Sequence, residues 1–125
     1  MPASKASIEL TQRAAYAAID KKASDVVAID LSDQMILSDI FLIATGQNTP
    51  QVEAIADEVE RKLAEIGQKP ARREGGEEWI LLDYIDLVVH VQSANLRAYY
   101  MLDRLWNDCP RIELDAVKEA AAYER

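Results

Sequence analysis

The sequence predicts a single α/β domain in which helices flank a mixed five-stranded β-sheet. The chain has 125 residues, which suits one domain, and half of them are apolar, enough for one core. Runs of β-branched residues alternate with amphipathic segments of helical length. The strand–helix–strand order in the middle of the chain implies parallel pairing, whereas the short connections between later strands favour antiparallel hairpins.

The N-terminal part predicts one helix followed by two strands. An alanine-rich segment over about residues 8–22 predicts the helix, with Ser7 as its N-cap. "SDVVAIDL" (24–31) is β-branched and alternating, so it predicts a strand. "DIFLIATG" (39–46) is almost continuously apolar, which predicts a strand covered on both faces at the centre of the sheet.

A second helix follows, in "QNTPQVEAIADEVERKLAEIG". Pro50 suits its first turn, Asn48 or Thr49 its cap, and Gly67 its C-terminal stop. One apolar stripe at helical spacing predicts the face that meets the core, formed by Val52, Ile55, Ala56, Val59, Leu63 and Ile66.

Three more strands and a third helix are predicted next. "KPARRE" and "EEWILLD" read as strands around a glycine turn, and "DLVVHVQ" (86–92) as another strand. "SANLRAYYMLDRLW" (93–106) predicts one continuous helix with Ser93 as its cap. Its expected core side carries Ala98, Met101, Leu102 and Leu105, with Tyr99 and Trp106 at the border and Arg97, Tyr100 and Arg104 on the other side.

The end of the chain predicts only short elements. Pro110 stops the third helix, and "RIEL" is interpreted as a short extended piece that is not counted among the five strands. "DAVKEAAAYER" predicts a small final helix capped by Asp115. Residues 1–125 are therefore interpreted as one domain, with 109–125 as its C-terminal tail.

Composition limits the classes of function. The net charge is −8 and the isoelectric point is near 4.6, which argues against direct, sequence-specific nucleic-acid binding and suits either a basic partner or simple solubility. Cys109 is the only cysteine, which excludes a disulfide framework and a multi-thiolate zinc site. An apolar run of membrane-spanning length and an export signal are both absent, so the cytoplasm is the expected compartment, with no role for a membrane.

The segment "WILLDYIDLVVH" (79–90) is the most informative part of the chain. If Tyr84 and Ile85 form a two-residue hairpin loop, Asp83 faces Asp86 and Trp79 faces His90. Alternation then gives a core face and a mixed face. The core face holds Ile80, Leu82, Leu87 and Val89, and the mixed face holds Trp79, Leu81, Asp83, Asp86, Val88 and His90.

Catalysis at this corner finds little support in the sequence. His90 and Asp86 lie four residues apart on one strand, about 13 Å between Cα atoms, which is too far for a catalytic dyad. Asp83 and Asp86 could share a magnesium ion or a proton, but opposed carboxylates destabilise a hairpin and are expected to separate into water. Two interpretations of Trp79 and His90 are open: they are packed side chains of the sheet, or they belong to a surface that contacts another protein. No catalytic residue, metal ligand or cofactor is assigned.

Three blocks, "SDIFLIATG", "WILLDYIDLVVHV" and "RAYYMLDRLW", resemble the Iojap family, the ribosomal silencing factors, over about residues 8–108. The resemblance implies a domain related to nucleotidyltransferases without their catalytic carboxylates, and no enzymatic activity. It implies binding to the large ribosomal subunit through ribosomal protein L fourteen, a block on joining of the small and large subunits, and repression of translation under nutrient limitation. Members are often dimers in isolation.

The resemblance also implies the partner-binding residues. Its second block carries the contact role over to Trp79, Leu82, Asp83, Tyr84 and Asp86, and its third block adds Tyr100, alongside Arg97, Leu102, Leu105 and Trp106, where contact and packing are not separable. The contact role implied for Leu82 conflicts with its position on the predicted core face. Many members have glycine where this chain has Ile85, a departure that puts the two-residue loop in doubt.

Two other functions stay open at this point. A nucleotidyltransferase-like enzyme would need two carboxylates two residues apart on one strand, whereas Asp83 and Asp86 are three apart and face opposite ways on a regular strand. The other alternative is a generic dimeric adaptor without a ribosomal role.

Overall fold

A computed structural model describes residues 3–34 and 39–123 of the chain. Over these residues the helices are α1 (Lys5–Asp20), α2 (Thr49–Ala64), α3 (Ala94–Tyr100), α4 (Leu102–Leu105) and α5 (Asp115–Tyr123). The strands are β1 (Ser24–Asp30), β2 (Ile40–Gly46), β3 (Arg72–Gly76), β4 (Trp79–Asp83), β5 (Leu87–Ser93) and β6 (Arg111–Ile112). Ser38, which opens the first of the three blocks, and residues 124–125 of the predicted final helix lie outside the described part.

The strands form one mixed sheet in the order β3-β4-β5-β2-β1-β6. The central pair, β2 and β5, is parallel, and its connection contains α2, as the strand–helix–strand order predicted. All other neighbours are antiparallel. The fold class is confirmed, but the predicted number of five strands is wrong. "RIEL" contributes a sixth strand because Ile112 and Arg111 pair with Ala28 and Ile29 of β1.

The main core lies between one face of the sheet and the helices α1, α2 and α5. Alanines on α1 allow that helix to approach the sheet closely, and the predicted stripe of α2 is fully buried except for its last member. Ile66 lies beyond the end of α2 and is exposed. The opposite side, called here the second face, carries a smaller apolar cluster that α4 and the following turn cover.

The helix termini show which polar residues set the boundaries. Asn48 caps α2, since its side chain accepts a hydrogen bond from the Gln51 N–H at 2.9 Å. Gly67 follows α2 with φ of +77°, as expected of a glycine that ends a helix. The predicted Ser7 cap is wrong, because α1 begins earlier and Ser4 accepts from the Ser7 N–H instead.

The predicted continuous helix over 93–106 is also wrong. Ser93 caps α3 as expected, but Met101 adopts a left-handed conformation with φ of +49° and separates α3 from α4. A residue with positive φ cannot continue a right-handed helix, so the apolar stripe predicted for one straight helix is split. Met101 and Leu105 are consequently exposed, whereas Leu102 and Trp106 pack on the second face.

The C-terminal tail belongs to the folded domain. α5 packs against α1, and the Gln12 side chain donates to the Glu113 carbonyl and accepts from the Asp115 N–H. Tyr16 of α1 donates its hydroxyl to Glu119 at 2.8 Å. Asp115 is the first residue of α5 rather than the cap that precedes it.

Candidate protein-binding surface

The β4–β5 hairpin has a wider loop than predicted. Asp83 pairs with Val88 and Leu81 with His90, so Trp79 lies opposite Gln92 rather than opposite His90. The predicted pairing of Asp83 with Asp86 is therefore wrong. The register differs from the prediction by two residues, and a shift of two keeps each side chain on its predicted face. Ile80, Leu82, Leu87 and Val89 all lie in the main core, as predicted.

Residues 84–86 form the loop, and backbone hydrogen bonds fix its shape. The Tyr84 N–H donates to the Leu87 carbonyl at 2.8 Å, and the Asp86 N–H donates to the Tyr84 carbonyl at 3.0 Å. The Asp86 carbonyl accepts from the N–H groups of Asp39 and Ile40, which join the loop to the start of β2. Asp83 accepts from the Ile85 N–H at 2.9 Å and from Arg72 at 3.2 Å.

A row of aromatic rings crosses the second face and continues onto α3. Its members, in spatial order, are Phe41, His90, Trp79, Tyr100 and Tyr99, and they are called the aromatic row below. Consecutive ring centroids are 4.7, 6.0, 4.9 and 4.9 Å apart, in tilted or edge-to-face geometries that aromatic pairs favour. The row becomes more exposed toward the helix, where Tyr100 is 49% and Tyr99 78% exposed.

His90 is the buried member of this row. Its Nδ1 accepts a hydrogen bond from the Trp79 indole N–H at 3.3 Å, so the proton of the neutral ring resides on Nε2. Burial disfavours the imidazolium and lowers the pKa of His90 to about 4. His90 is thus a neutral packing residue that orients Trp79, and Asp86 lies exposed in the loop and not beside it.

Arg97 fixes the exposed end of the row. The prediction placed this residue on the outer side of the helix, but its side chain is buried. Its Nη1 donates to Thr45 Oγ1 of β2 at 2.7 Å, and its Nε donates to Asp103 of α4 at 3.4 Å. One guanidinium therefore ties α3, α4 and the sheet together across the break at Met101, which holds Tyr100 against Trp79.

The structure separates the six predicted partner-binding residues into two groups. Trp79, Asp83, Asp86 and Tyr100 reach the surface, with Trp79 and Asp83 partly exposed. Leu82 is fully buried in the main core, so its side chain offers nothing to a partner. Tyr84 is also buried there, and desolvation raises the pKa of its hydroxyl to about 12.

Several surface residues escaped the sequence argument. Tyr99, Met101 and Leu105 are large apolar side chains exposed next to Tyr100, because the helix breaks where continuity was predicted. Ile85, at the tip of the loop, is 57% exposed and has a φ of +75°. The mismatch between Ile85 and the glycine expected in a tight loop was the one signal that pointed to it.

Residues 3–34 and 39–123 provide neither a cluster of metal ligands nor a membrane-spanning helix. In this range no group of three or more histidine, cysteine, aspartate or glutamate side chains is arranged to hold a metal ion. The same range contains no helix whose length and apolarity would let it cross a bilayer.

Comparison with known proteins assigns the family. The sequence model described as "Ribosomal silencing factor during starvation" matches residues 4–125. Ribosomal silencing factor RsfS of Halalkalibacterium halodurans is 44% identical over 111 residues, which cover 87% of this chain and 95% of that protein. Chloroplastic Iojap of Arabidopsis thaliana is 30% identical over 112 residues, covering 86% of this chain and 46% of that protein.

A solved structure supports the fold. The crystal structure of a Chromobacterium violaceum protein superposes with a TM-score of 0.77 at 38% sequence identity, over 79% of this chain and 84% of that one. The match to the family over nearly the whole chain confirms the resemblance inferred from the three blocks. The chain belongs to the ribosomal silencing factor family, which includes Iojap.

Proposed function

We propose that this chain binds the large ribosomal subunit through ribosomal protein L fourteen, blocks joining of the small and large subunits, and so represses translation under nutrient limitation. We place this action in the cytoplasm and assign it no catalytic step. Membership of the family supports a regulatory role in translation. The observation that carries the partner contact is the exposed end of the aromatic row.

The chemistry of that end suits a protein partner. The rings of Trp79 and Tyr100 make a tilted contact with their centroids 4.9 Å apart, and the neighbouring Tyr99, Met101 and Leu105 expose further apolar area. Tryptophan, tyrosine and methionine are enriched in protein interfaces, where rigid aromatic side chains act as anchors. Burying such a patch against a partner removes apolar surface from water, and this supplies the main driving force for association.

The charge of the chain suits a basic partner. The net charge of −8 creates a field that attracts a positively charged protein and repels bare phosphate. Ribosomal proteins that lie in RNA carry many basic side chains, so the acidic chain is directed toward protein rather than RNA. Asp83 and Asp86 provide local carboxylates beside the loop at the far end of β4.

Co-sedimentation with purified subunits tests the proposal. The chain should pellet with large subunits at one copy each, leave small subunits and bare ribosomal RNA unbound, and lower the yield of joined ribosomes. Tyr100→Ala should weaken this binding by tenfold or more, whereas Tyr16→Ala, which removes an exposed tyrosine from α1, should leave it unchanged. Equal binding to both subunits would contradict the proposal, as would full joining of subunits at saturating protein.

A further inference from the structure

We propose that Arg111 of the C-terminal tail is a positioning residue for the partner contact. From β6 it holds α4, and through α4 it keeps the exposed end of the aromatic row, Tyr99 and Tyr100, in its binding shape. The inference rests on the proposed function and deepens it. Arg111 lies outside the three blocks that carry the family resemblance, and it acts through Asp103 rather than by touching the partner.

The backbone of Arg111 is fixed to the sheet. It pairs with Ile29 of β1, and the carbonyl of the preceding Pro110 accepts from the Asp30 N–H at 2.8 Å. Ile112 packs against the main core, so the alternation of a strand directs the Arg111 side chain to the second face, where α4 lies. The guanidinium therefore extends from a fixed strand on the side of the sheet that carries the proposed contact surface.

The guanidinium adds a hydrogen bond at the end of α4. This helix is a single turn of four residues, Leu102–Leu105. In a continuing helix the Asn107 N–H would donate to the Asp103 carbonyl, but it donates to the Arg104 carbonyl at 3.1 Å instead. Nη2 of Arg111 donates to the Asp103 carbonyl at 2.7 Å. Arg111 thus stabilises a turn that is too short to be stable by itself.

Asp103 connects this hydrogen bond to the aromatic row. Its carboxylate accepts from Nε of Arg97 at 3.4 Å, and Nη1 of the same arginine donates to Thr45 of β2 at 2.7 Å. Arg97 lies in α3, which ends at Tyr100. Arg97 and Arg111 therefore hold Asp103 from two sides, and α4 is tied to the sheet at β2 and at β6.

A surface that is held in this way loses less entropy when it binds. The break at Met101 leaves α3 and α4 as two short helices, and the apolar side chains proposed to meet the partner lie on and around the break. If the two helices moved separately, the partner would have to order them on binding, at a cost in affinity. The tie from β6 removes part of that cost in advance, so loss of Arg111 should weaken binding.

Arg111→Gln and Lys118→Gln separate this role from a simple effect of charge. Each variant removes one positive charge from the tail, since Lys118 is an exposed residue of α5 that pairs with Glu113 at 3.1 Å. With a basic partner, charge alone predicts equal or tighter binding for both variants. The positioning role predicts an affinity for large subunits about fivefold lower for Arg111→Gln and no loss for Lys118→Gln. Arg111→Lys, which keeps a cationic donor, should recover part of the affinity.

Two further measurements test whether Arg111 acts through the aromatic row. In the Tyr100→Ala background, Arg111→Gln should lower the affinity by a smaller factor than in the wild type, because part of what it positions is gone. In the free Arg111→Gln chain, amide hydrogen exchange should become about fivefold faster at Leu105, whose N–H donates to the Met101 carbonyl. The amides of β2 and β5 should exchange at the wild-type rate, which a general loss of stability would not allow.

Failure of this inference is distinguishable from failure of the proposed function. If the wild-type chain does not bind large subunits, the proposed function fails and the role of Arg111 fails with it. If the wild type binds, three results overturn the role of Arg111 alone: undiminished affinity of Arg111→Gln, an equal loss of affinity in Lys118→Gln, or independent effects of Arg111→Gln and Tyr100→Ala. Faster exchange throughout the sheet would overturn it as well, because Arg111 would then support the whole domain and not the contact surface.

Discussion

Trp79 and His90 lie diagonally across the β4–β5 hairpin, and the indole N–H of Trp79 donates to Nδ1 of His90 at 3.3 Å. The contact requires a neutral imidazole, because a protonated ring has no acceptor nitrogen to offer. The hydrogen bond therefore links Trp79, a residue of the proposed contact surface, to a buried imidazole whose protonation opposes folding.

The stability of the chain should fall as the pH decreases from about 6.5 to about 4. The folded-state pKa of His90 is lowered from 6.5 to about 4 by burial, so over this window the unfolded chain binds a proton that the folded chain does not. The full loss should be about 3 kcal/mol, from about 1.4 kcal/mol for each pKa unit. Urea denaturation between pH 7.5 and 4.5 measures it, and His90→Gln, which does not titrate, should show a shallower dependence.

Trp79→Ala should reduce partner binding more than it reduces stability. Truncation of an interface tryptophan is expected to cost ~2 kcal/mol or more, about a thirtyfold loss of affinity. Because Trp79 is only partly buried in the free chain, the unfolding free energy should fall by about 1–2 kcal/mol, below the ~3–5 kcal/mol of a fully buried tryptophan. Thermal denaturation and titration against isolated ribosomal protein L fourteen measure the two effects. A folded variant with wild-type affinity would remove Trp79 from the interface.

Leu82→Ala should give the reverse pattern. Its side chain is fully buried in the main core, so the cavity should cost about 2–5 kcal/mol of unfolding free energy. The fraction of molecules that stays folded should bind large subunits with unchanged affinity. Binding at low temperature, compared with the folded fraction from circular dichroism, tests this directly. A loss of affinity in excess of the unfolded fraction would place Leu82 in the contact after all.

Arg97→Gln and Thr45→Val should have non-additive effects on the free energy of unfolding. The buried guanidinium donates to the threonine hydroxyl at 2.7 Å, and a hydrogen bond to a charged group contributes about 1.5–3 kcal/mol. The double variant should therefore be less destabilised than the sum of the two single variants, by at least ~1 kcal/mol in a urea-denaturation cycle. Additive effects would show that the two side chains are not energetically coupled.

Asp86→Asn should slow association with the large subunit and leave the fold unaffected. The carboxylate is exposed, and Asp86 holds the loop through its backbone groups. Loss of one charge at the rim of an interface acts mainly on the association rate. The association rate constant should therefore decrease about two- to fivefold at low salt, equivalent to about 0.4–1 kcal/mol, and this difference should disappear at high salt. Stopped-flow measurements over a salt series test it. Glu53→Gln, an exposed carboxylate removed from α2, is the matched control.

Local sequence patterns predicted most of the fold, because buried positions recur at the helical or strand repeat and apolar residues occupy them. The apolar run of β2 indicated its central place, and the stripe of α2 indicated its buried side. The prediction assigned the side chains of the hairpin to the correct faces although its strand register was wrong, because a shift of two residues keeps the alternation of side chains. The sixth strand was not counted because Arg111 and Ile112 form too short a run to show a period.

Features of the surface that depend on single backbone angles were not predictable in this way. Met101 is an ordinary residue for a helix, and nothing in its neighbours' pattern indicates a positive φ. At Ile85 the one signal was the glycine that many members of the family have at this position. The buried position of Arg97 follows from the break at Met101, as does the exposure of Leu105. Resemblance to a family names Leu82 and Tyr84 in the contact block, and burial shows that their side chains serve the core under that block.

The two residues of β6 also affect which strand edges of the sheet are exposed to other chains. By pairing with Ala28 and Ile29, they cover part of the β1 edge, and β3 forms the opposite edge of the described sheet. β3 is short, ends in two glycines, and carries Arg72, Arg73 and Glu74, a composition that discourages strand-to-strand association between copies. Removal of the tail would uncover the backbone of Ala28 and Ile29 in β1, and we expect a chain shortened in this way to associate more readily through that edge.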